Sequence, residues 1–203
     1  TAGADATTAL AQALDAIPGD AIYADLSTSS PGKKRALALT AEGAHLRFAD
    51  IALMSTVPGK RIRTPMLASG VGADAFASWV EPLGGTVESV GAEAGDAATR
   101  KLLRSVVIKG VAAVLIESMR GANEAGLALE TWQNVMAQLA DADEAIILRL
   151  IEGTGPHARR RRDEMVAAAE LLDELGVESV MTRATVQNLQ AVLDAGLPEI
   201  PDT

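Results

Sequence analysis

The sequence predicts an α/β N-terminal part that a long buried helix joins to an all-helical C-terminal part. Three observations lead to this fold class. The 203-residue chain has 39 alanines but only 2% aromatic residues, which is typical of closely packed helices with aliphatic side chains between them. Short apolar runs alternate with helix-length intervals in the first half, which favours a partly parallel sheet. The second half has helical periodicity throughout.

The N-terminal part, residues 1–94, begins with a helix. Its apolar side chains have helical spacing up to Ile17, and Pro18-Gly19 ends it. The basic residues Lys33, Lys34 and Arg35 are expected to form a solvated helix face. Apolar runs between polar segments predict strands at 21–26, 46–53, 65–69 and 86–90, and helices at 32–42 and 73–83.

The C-terminal part, residues 95–203, begins with the most apolar helix. From Ala97 to Ala125 there is no proline, and apolar residues cover nearly every face. Such a helix belongs inside, between layers or between subunits. Further helices are predicted at 130–151, 158–175 and 182–195.

Charge and composition exclude several function classes. The net charge of −9 and the isoelectric point near 4.7 argue against nucleic-acid binding. The absence of cysteine excludes disulfides and thiolate metal sites, and two histidines are too few for a multi-histidine metal site. No apolar stretch approaches the roughly 20 residues that a membrane span needs. We therefore expect a soluble, cytoplasmic protein.

A glycine-rich turn at residues 70–75 (GVGADA) has the context of a dinucleotide fingerprint, since it follows a predicted strand and opens a predicted helix. The acidic residue expected about 20 positions on would be Glu93, which lies in a loop. A plain strand-to-helix turn is therefore the favoured interpretation.

Two basic features remain as candidate sites. The cluster Arg159–Arg162 is interpreted either as a solvated face or as an anion contact.

On the long helix, Lys101, Arg104 and Ser105 fall on one side at 100° per residue. An ammonium in a desolvated cleft is available for proton transfer. The other interpretation is that Lys101 lies at the first exposed turn and extends to solvent.

Four segments together carry a resemblance to a known family: 25–31 (DLSTSSP), 50–56 (DIALMST), 95–101 (GDAATRK) and Arg162-Asp163. In order and spacing they resemble the β-hydroxyacid dehydrogenases, the group of 3-hydroxyisobutyrate dehydrogenase and 6-phosphogluconate dehydrogenase. The first is similar to the family's D-x-S-T-x-S-P segment, and the second stands in place of the substrate loop D-x-P-V-S-G-G. The third resembles G-x-G-x-x-x-K, and the fourth a K-D pair near the cofactor. The resemblance points to a branch with a distinct helical C-terminal domain.

The resemblance implies an NAD(P)-dependent oxidoreductase that transfers a hydride between NADP or NAD and a small hydroxyacid-like substrate. Residues 1–94 would then be an incomplete Rossmann-like domain, since the family's strand–GxGxxG–helix unit is expected upstream of Thr1. Lys101 is the implied general acid/base. The implied substrate-binding residues are Met54, Ser55, Thr56 and Ser105, and the implied cofactor-binding residues are Ser27, Thr28 and Arg162.

The sequence also departs from the family's pattern. Met54 replaces the serine that holds the substrate carboxylate, and Ser105 replaces an asparagine, which indicates a substrate unlike the familiar ones. The resemblance further implies a homodimer formed by the helical domains. The alternative function is a truncated, non-catalytic remnant that acts only as a helical dimerisation module. On its own, the 203-residue chain is expected to bind NAD(P)H weakly.

Overall fold

A computed structural model describes residues 3–200 as two compact units, the first ending at Val107 and the second beginning at Ile108. The division falls inside the long helix α4 (Asp96–Glu124). None of the helices within the described residues has both the length and the apolar character needed to cross a membrane.

The first unit contains a four-stranded sheet and the helices that cover it. Each strand and helix predicted between residues 21 and 94 is present to within two residues, except that the last predicted turn of α3 is a 3₁₀ helix. In chain order the elements are a 3₁₀ helix Gly3–Asp5, α1 (Ala6–Ala13), β1 (Ile22–Asp25), α2 (Pro31–Gly43), β2 (Arg47–Leu53), a 3₁₀ helix Arg61–Arg63, β3 (Met66–Ser69), α3 (Ala73–Val80), a 3₁₀ helix Glu81–Leu83, β4 (Val87–Gly91) and the start of α4.

The sheet is mixed and has the strand order β1-β2-β3-β4, so the predicted partly parallel sheet is confirmed. The pairs β1–β2 and β3–β4 are parallel, and β2–β3 is antiparallel. The register places Asp25 beside Asp50, and Asp50 beside Ser69. These three polar residues therefore form a row across three strands, at the carboxyl ends of β1 and β3 and at the centre of β2.

Two apolar cores lie on the helix-covered faces of the sheet. One is built around Phe48 and Leu37 with α1 and α2, and the other around Ile51 and Phe76 with α3. Helices on both faces explain why β2 is buried almost throughout.

The glycine-rich turn between β3 and α3 serves chain packing. Gly70 has a φ of +95°, and a Cβ there would lie 2.9 Å from the carbonyl oxygen of Phe48. A Cβ on Gly72 would lie 2.7 Å from the carbonyl oxygen of Arg47, and the Gly72 N–H donates to Phe48 O at 2.8 Å. The turn is thus pressed against β2, as the strand-to-helix interpretation requires.

The second unit is helical, and the prediction of one helix over residues 130–151 is wrong. Two helices occupy that stretch because Asp143 accepts a hydrogen bond from the Ile146 N–H at 2.9 Å and so begins a new helix. After the end of α4, the unit contains α5 (Ala128–Ala140), α6 (Glu144–Glu152), α7 (Thr154–Glu174) and α8 (Val180–Ala195).

The single chain does not bury α4, so of the predicted locations for this apolar helix, burial between subunits stays a prediction. Val106 is 71% exposed and Leu103 is 66% exposed. The apolar composition of a helix does not distinguish burial within a chain from burial between chains. The helix α4 has 29 residues and is about 43 Å long. At helical spacing, its exposed apolar stripe consists of Leu103, Val106, Val107, Val111 and Val114.

A buried carboxylate of α4 caps the first turn of α8. Glu117 accepts hydrogen bonds from the N–H groups of Met181 at 2.7 Å and Thr182 at 2.8 Å, and from the Thr182 hydroxyl at 2.6 Å. Burial acts to raise the pKa of Glu117, but these hydrogen bonds outweigh it and lower the pKa below the ordinary value of 4.5.

Replacing Glu117 with glutamine is expected to lower the free energy of unfolding by about 1–3 kcal/mol at neutral pH, because an amide offers one oxygen acceptor in place of two. Since folding lowers the pKa of Glu117, the stabilisation is present above pH 4.5 and is lost as the pH falls through the folded-state pKa. Urea denaturation across this pH range measures the difference. The matched control is Glu124→Gln at the exposed end of the same helix, and an equal loss in both variants would contradict the prediction.

Candidate active site

Lys101 and Thr28 meet although 73 residues separate them in the sequence. Lys101 lies in the second turn of α4, and its Nζ donates to Thr28 Oγ1 at 3.0 Å. Thr28 belongs to the loop that follows β1. The two side chains line a cavity of about 10 Å³, with room for about one water molecule. The other lining residues are Ser27, Ser29, Asp50, Ile51, Ala52, Ala98 and Leu102.

The loop that carries Thr28 is fixed by Asp25 at the end of β1. Ser27 donates to the two Asp25 oxygens with its N–H and its hydroxyl, each at 3.0 Å, and the Ser27 and Ser29 hydroxyls are 3.2 Å apart. Burial, and then the Asp25 charge, raise the pKa of Tyr23 on the same strand above its ordinary value of 10.

Lys34 is buried, which corrects its prediction as part of a solvated face. The residue is 1% exposed, and its ammonium lies 2.9 Å from Asp25 Oδ2 and 2.9 Å from Asp50 Oδ1. It also donates to the Asp25 backbone oxygen at 2.9 Å. Asp50 Oδ1 receives no well-aligned hydrogen bond within residues 3–200, so its contact with Lys34 is an ion pair alone.

The sheet register explains why this ammonium is needed. Asp25 and Asp50 are neighbours on parallel strands, where two like charges are destabilising. Two carboxylates and one ammonium leave a net negative charge. The backbone N–H groups at the start of α4 stabilise this remaining charge. The Ala98 N–H donates to Asp50 Oδ2 at 3.0 Å, and the Ala97 N–H donates to Ser69 Oγ at 3.1 Å.

We call Asp25, Asp50, Ser69 and Lys34 the buried polar row. Its Asp25 end holds the loop that bears Ser27 and Thr28. Its other end holds the first turn of α4, three residues before Lys101. The same buried charges therefore position both partners of the Lys101–Thr28 hydrogen bond.

The predicted substrate-binding residues have different surroundings. The Met54 carbonyl accepts from Arg104 Nη1 at 2.7 Å, and Ser55 Oγ accepts from Lys60 Nζ at 2.9 Å. Thr56 is exposed, and Ser105 is half-buried, four residues after Lys101 on α4. The structure thus connects Met54 to the helix of Lys101. The binding roles of all four residues stay predictions.

Arg162 lies on α7 in the second unit. Its Nη1 donates to Gln190 Oε1 at 2.7 Å, and its Nη2 lies 2.7 Å from Asp163 Oδ1. These residues line an open groove of about 740 Å³ between α7 and α8. The groove is larger than the Lys101 cavity but contains no comparable cluster of proton-transfer groups among its lining residues. The cofactor-binding role of Arg162 also stays a prediction.

The sequence interpretation missed the buried polar row. One signal was available, since the apolar strands 21–26 and 46–53 each contain one aspartate, and buried carboxylates need a cation. Which of three consecutive basic residues would supply it depends on the rotation of α2 over the sheet, and only the structure gives that rotation.

Comparison with known proteins shows relatives over nearly the whole chain. Residues 122–192 match a family model described as a domain of unknown function, DUF1932. An uncharacterised 28.5 kDa protein from Methanothermus fervidus is 26% identical over 164 residues, which are 81% of this chain and 63% of that protein. The chain therefore spans less than two thirds of the length of this curated relative.

Among solved structures, a conserved hypothetical protein from Sinorhizobium meliloti is 30% identical over 96% of this chain and 66% of its own, with a TM-score of 0.56. A reductive aminase from Aspergillus terreus, solved with NADPH and ethyl levulinate, shares the fold at 19% identity. Its TM-score is 0.73 over 94% of this chain and 72% of its own.

A further solved structure identifies the family. It is a conserved protein of unknown function described as structurally similar to 3-hydroxyacid dehydrogenases. It is 30% identical to this chain over 96% of this chain and 73% of its own, with a TM-score of 0.56. Together with the domain match, this identity confirms the resemblance drawn from the sequence motifs. The chain belongs to the 3-hydroxyacid dehydrogenase-like proteins of the β-hydroxyacid dehydrogenase superfamily, in the branch that carries a DUF1932 domain.

Proposed function

We propose that the protein is an NAD(P)-dependent oxidoreductase that transfers a hydride between the nicotinamide of its cofactor and a small hydroxyacid-like substrate. The observation that carries this proposal is the 3.0 Å hydrogen bond from Lys101 Nζ to Thr28 Oγ1. It brings the proposed proton-transfer group to the hydroxyl-rich loop that follows β1. Both halves of the pair lie in segments that resemble motifs of the family, 25–31 and 95–101.

The donor set of this loop fits a nicotinamide cofactor. The Thr28 hydroxyl accepts from Lys101 and keeps its own proton to donate. The Ser27 hydroxyl gives its proton to Asp25 and keeps acceptor capacity, so the loop offers one donor and one acceptor for the amide of a nicotinamide. When bound, the cofactor would supply or receive the hydride. The reductive aminase from Aspergillus terreus was solved with NADPH, and an imine reductase variant from Myxococcus stipitatus with NAD⁺. Arg162 in the second unit is proposed as a further cofactor contact.

Lys101 is proposed as the general acid/base. During oxidation its amine would take the proton of the substrate hydroxyl, and during reduction its ammonium would return it. The hydrogen bond to Thr28 holds the amine in one position, and the half-buried location limits its contact with water. Ser105, one helical turn further along α4, would orient the substrate beside it.

Titrating the full-length protein with NADPH tests the proposed cofactor. We expect saturable binding, measured by the change in NADPH fluorescence, and we expect Thr28→Val to weaken it. The matched control is Thr40→Val on α2, since the Thr40 hydroxyl bonds only to the carbonyl of Ala36 in its own helix among the described contacts. No saturable binding of NADPH or NADH would contradict the proposal and favour the non-catalytic dimerisation module.

We further propose that the protein is a homodimer and that the exposed apolar stripe of α4 lies in the interface. A stripe of aliphatic side chains left in water is unfavourable, and a contiguous exposed patch of this kind is typical of an interaction surface. Light scattering should give twice the chain mass, and Val106→Glu should shift the mass to that of one chain. The control is Leu39→Glu, on an equally exposed apolar residue of α2. A monomeric wild-type protein would contradict the proposal.

A further inference from the structure

Two cations converge on one short segment beside Lys101. Arg104 Nη1 donates to the carbonyl of Met54 at 2.7 Å, and Lys60 Nζ donates to the hydroxyl of the next residue, Ser55, at 2.9 Å. The two charged groups therefore contact neighbouring residues at the end of β2, although they come from different parts of the chain.

Within residues 3–200, no carboxylate oxygen forms an ion pair with Arg104 or Lys60. Arg100, on the same helix, does pair with a carboxylate, since its guanidinium lies 3.9 Å from Glu88 and donates to the Val90 carbonyl at 3.2 Å.

The bond to Met54 fixes the guanidinium of Arg104 but uses one of its five N–H donors. A planar guanidinium with donors remaining suits bidentate binding of a carboxylate. Arg104 follows Lys101 by three residues, so both side chains project from one side of α4, about 4.5 Å apart along the helix axis. A ligand whose anionic group is bound by Arg104 would thus place an atom only a few covalent bonds from that group near Lys101, where it could exchange a proton.

We infer that Arg104, assisted by Lys60, binds the carboxylate of the substrate. The inference rests on the proposed oxidoreductase function and specifies its substrate as a short acid whose carboxylate lies near the reacting carbon. The positive charge is supplied by α4 and by the segment after β2.

Isothermal titration of the full-length protein with malonate tests the inference, with the uncharged malonamide and inorganic phosphate as the comparison ligands. We expect Arg104→Gln to weaken malonate binding about tenfold or more, the effect of losing one charge-assisted interaction, and Lys60→Gln about threefold. The matched control, Arg100→Gln, removes the same charge from the same helix and should change the affinity by less than about twofold. Malonamide should bind at least about tenfold more weakly than malonate.

Three results would overturn the inference: no malonate binding to the wild-type protein, equal affinities for Arg104→Gln and Arg100→Gln, or tighter binding of phosphate than of malonate at the same residues. NADPH affinity, measured on the same variants, should not change with Arg104→Gln. If malonate binds through Arg104 while no nicotinamide cofactor binds, the proposed oxidoreductase function fails and the carboxylate site stands.

Discussion

Replacing Lys34 with methionine is expected to lower the free energy of unfolding by about 3–5 kcal/mol, the largest loss of stability that we predict for a single side chain. Lys34 is 1% exposed and Asp50 is 0% exposed, so water cannot replace the lost ammonium. Asp25 and Asp50 would remain side by side on neighbouring strands with no cation between them. Methionine retains the volume of the side chain, so the loss measures the charge rather than a cavity.

Urea denaturation measures this loss. Trp79 lies in the first unit and reports on it when Trp132, in the second unit, is replaced by phenylalanine. The matched control is Arg35→Met on the next residue of α2, which is exposed and should change the free energy of unfolding by less than about 0.5 kcal/mol.

A second variant keeps the measurement possible if Lys34→Met is too unstable to purify. Adding Asp50→Asn removes one of the two uncompensated charges, so the double variant should be more stable than the single one. A Lys34→Met protein within about 1 kcal/mol of the wild type would show that the buried polar row does not stabilise the sheet.

The elements of the first unit could be predicted because their signals are local. The strand at 47–53 is a run of apolar and β-forming residues, and Ser30-Pro31 marks the start of α2 with a capping hydroxyl and a proline at the first helical position. The same reasoning failed at residues 141–143. There an aspartate cap divides a pattern that is apolar and helical on both sides.

Motif spacing in the sequence predicts only the part of the candidate site that lies in recognisable motifs. The resemblance named Thr28 and Lys101, and the structure brings these two together. The sequence places Lys34 on a solvated face and assigns no binding role to Lys60 or Arg104, because the contacts of each depend on residues at least five and as many as 50 positions away. A single lysine in a sequence does not reveal whether it lies against water or against two carboxylates, and only the fold decides this.

Replacing Lys101 with methionine is expected to lower kcat by about 10²–10⁴-fold, the contribution that general acid/base catalysis usually makes. The variant keeps the length of the side chain but can neither accept nor donate a proton. Turnover is followed by the absorbance of NADPH, with a panel of short 2- and 3-hydroxyacids as substrates. The affinity for NADPH should change by less than about twofold, because a group that acts on the substrate oxygen contributes little to cofactor binding.

Two comparisons separate a chemical role of Lys101 from a structural one. Lys109→Met, on the exposed continuation of the same helix, should retain wild-type kcat. Thr28→Val should have an intermediate effect of about tenfold on kcat, since it removes the hydroxyl that holds the amine but not the amine itself. If Lys101→Met retained more than about a tenth of wild-type kcat, proton transfer would have to be assigned to another group. If it lost kcat and NADPH affinity together, Lys101 would instead serve to maintain the cofactor loop.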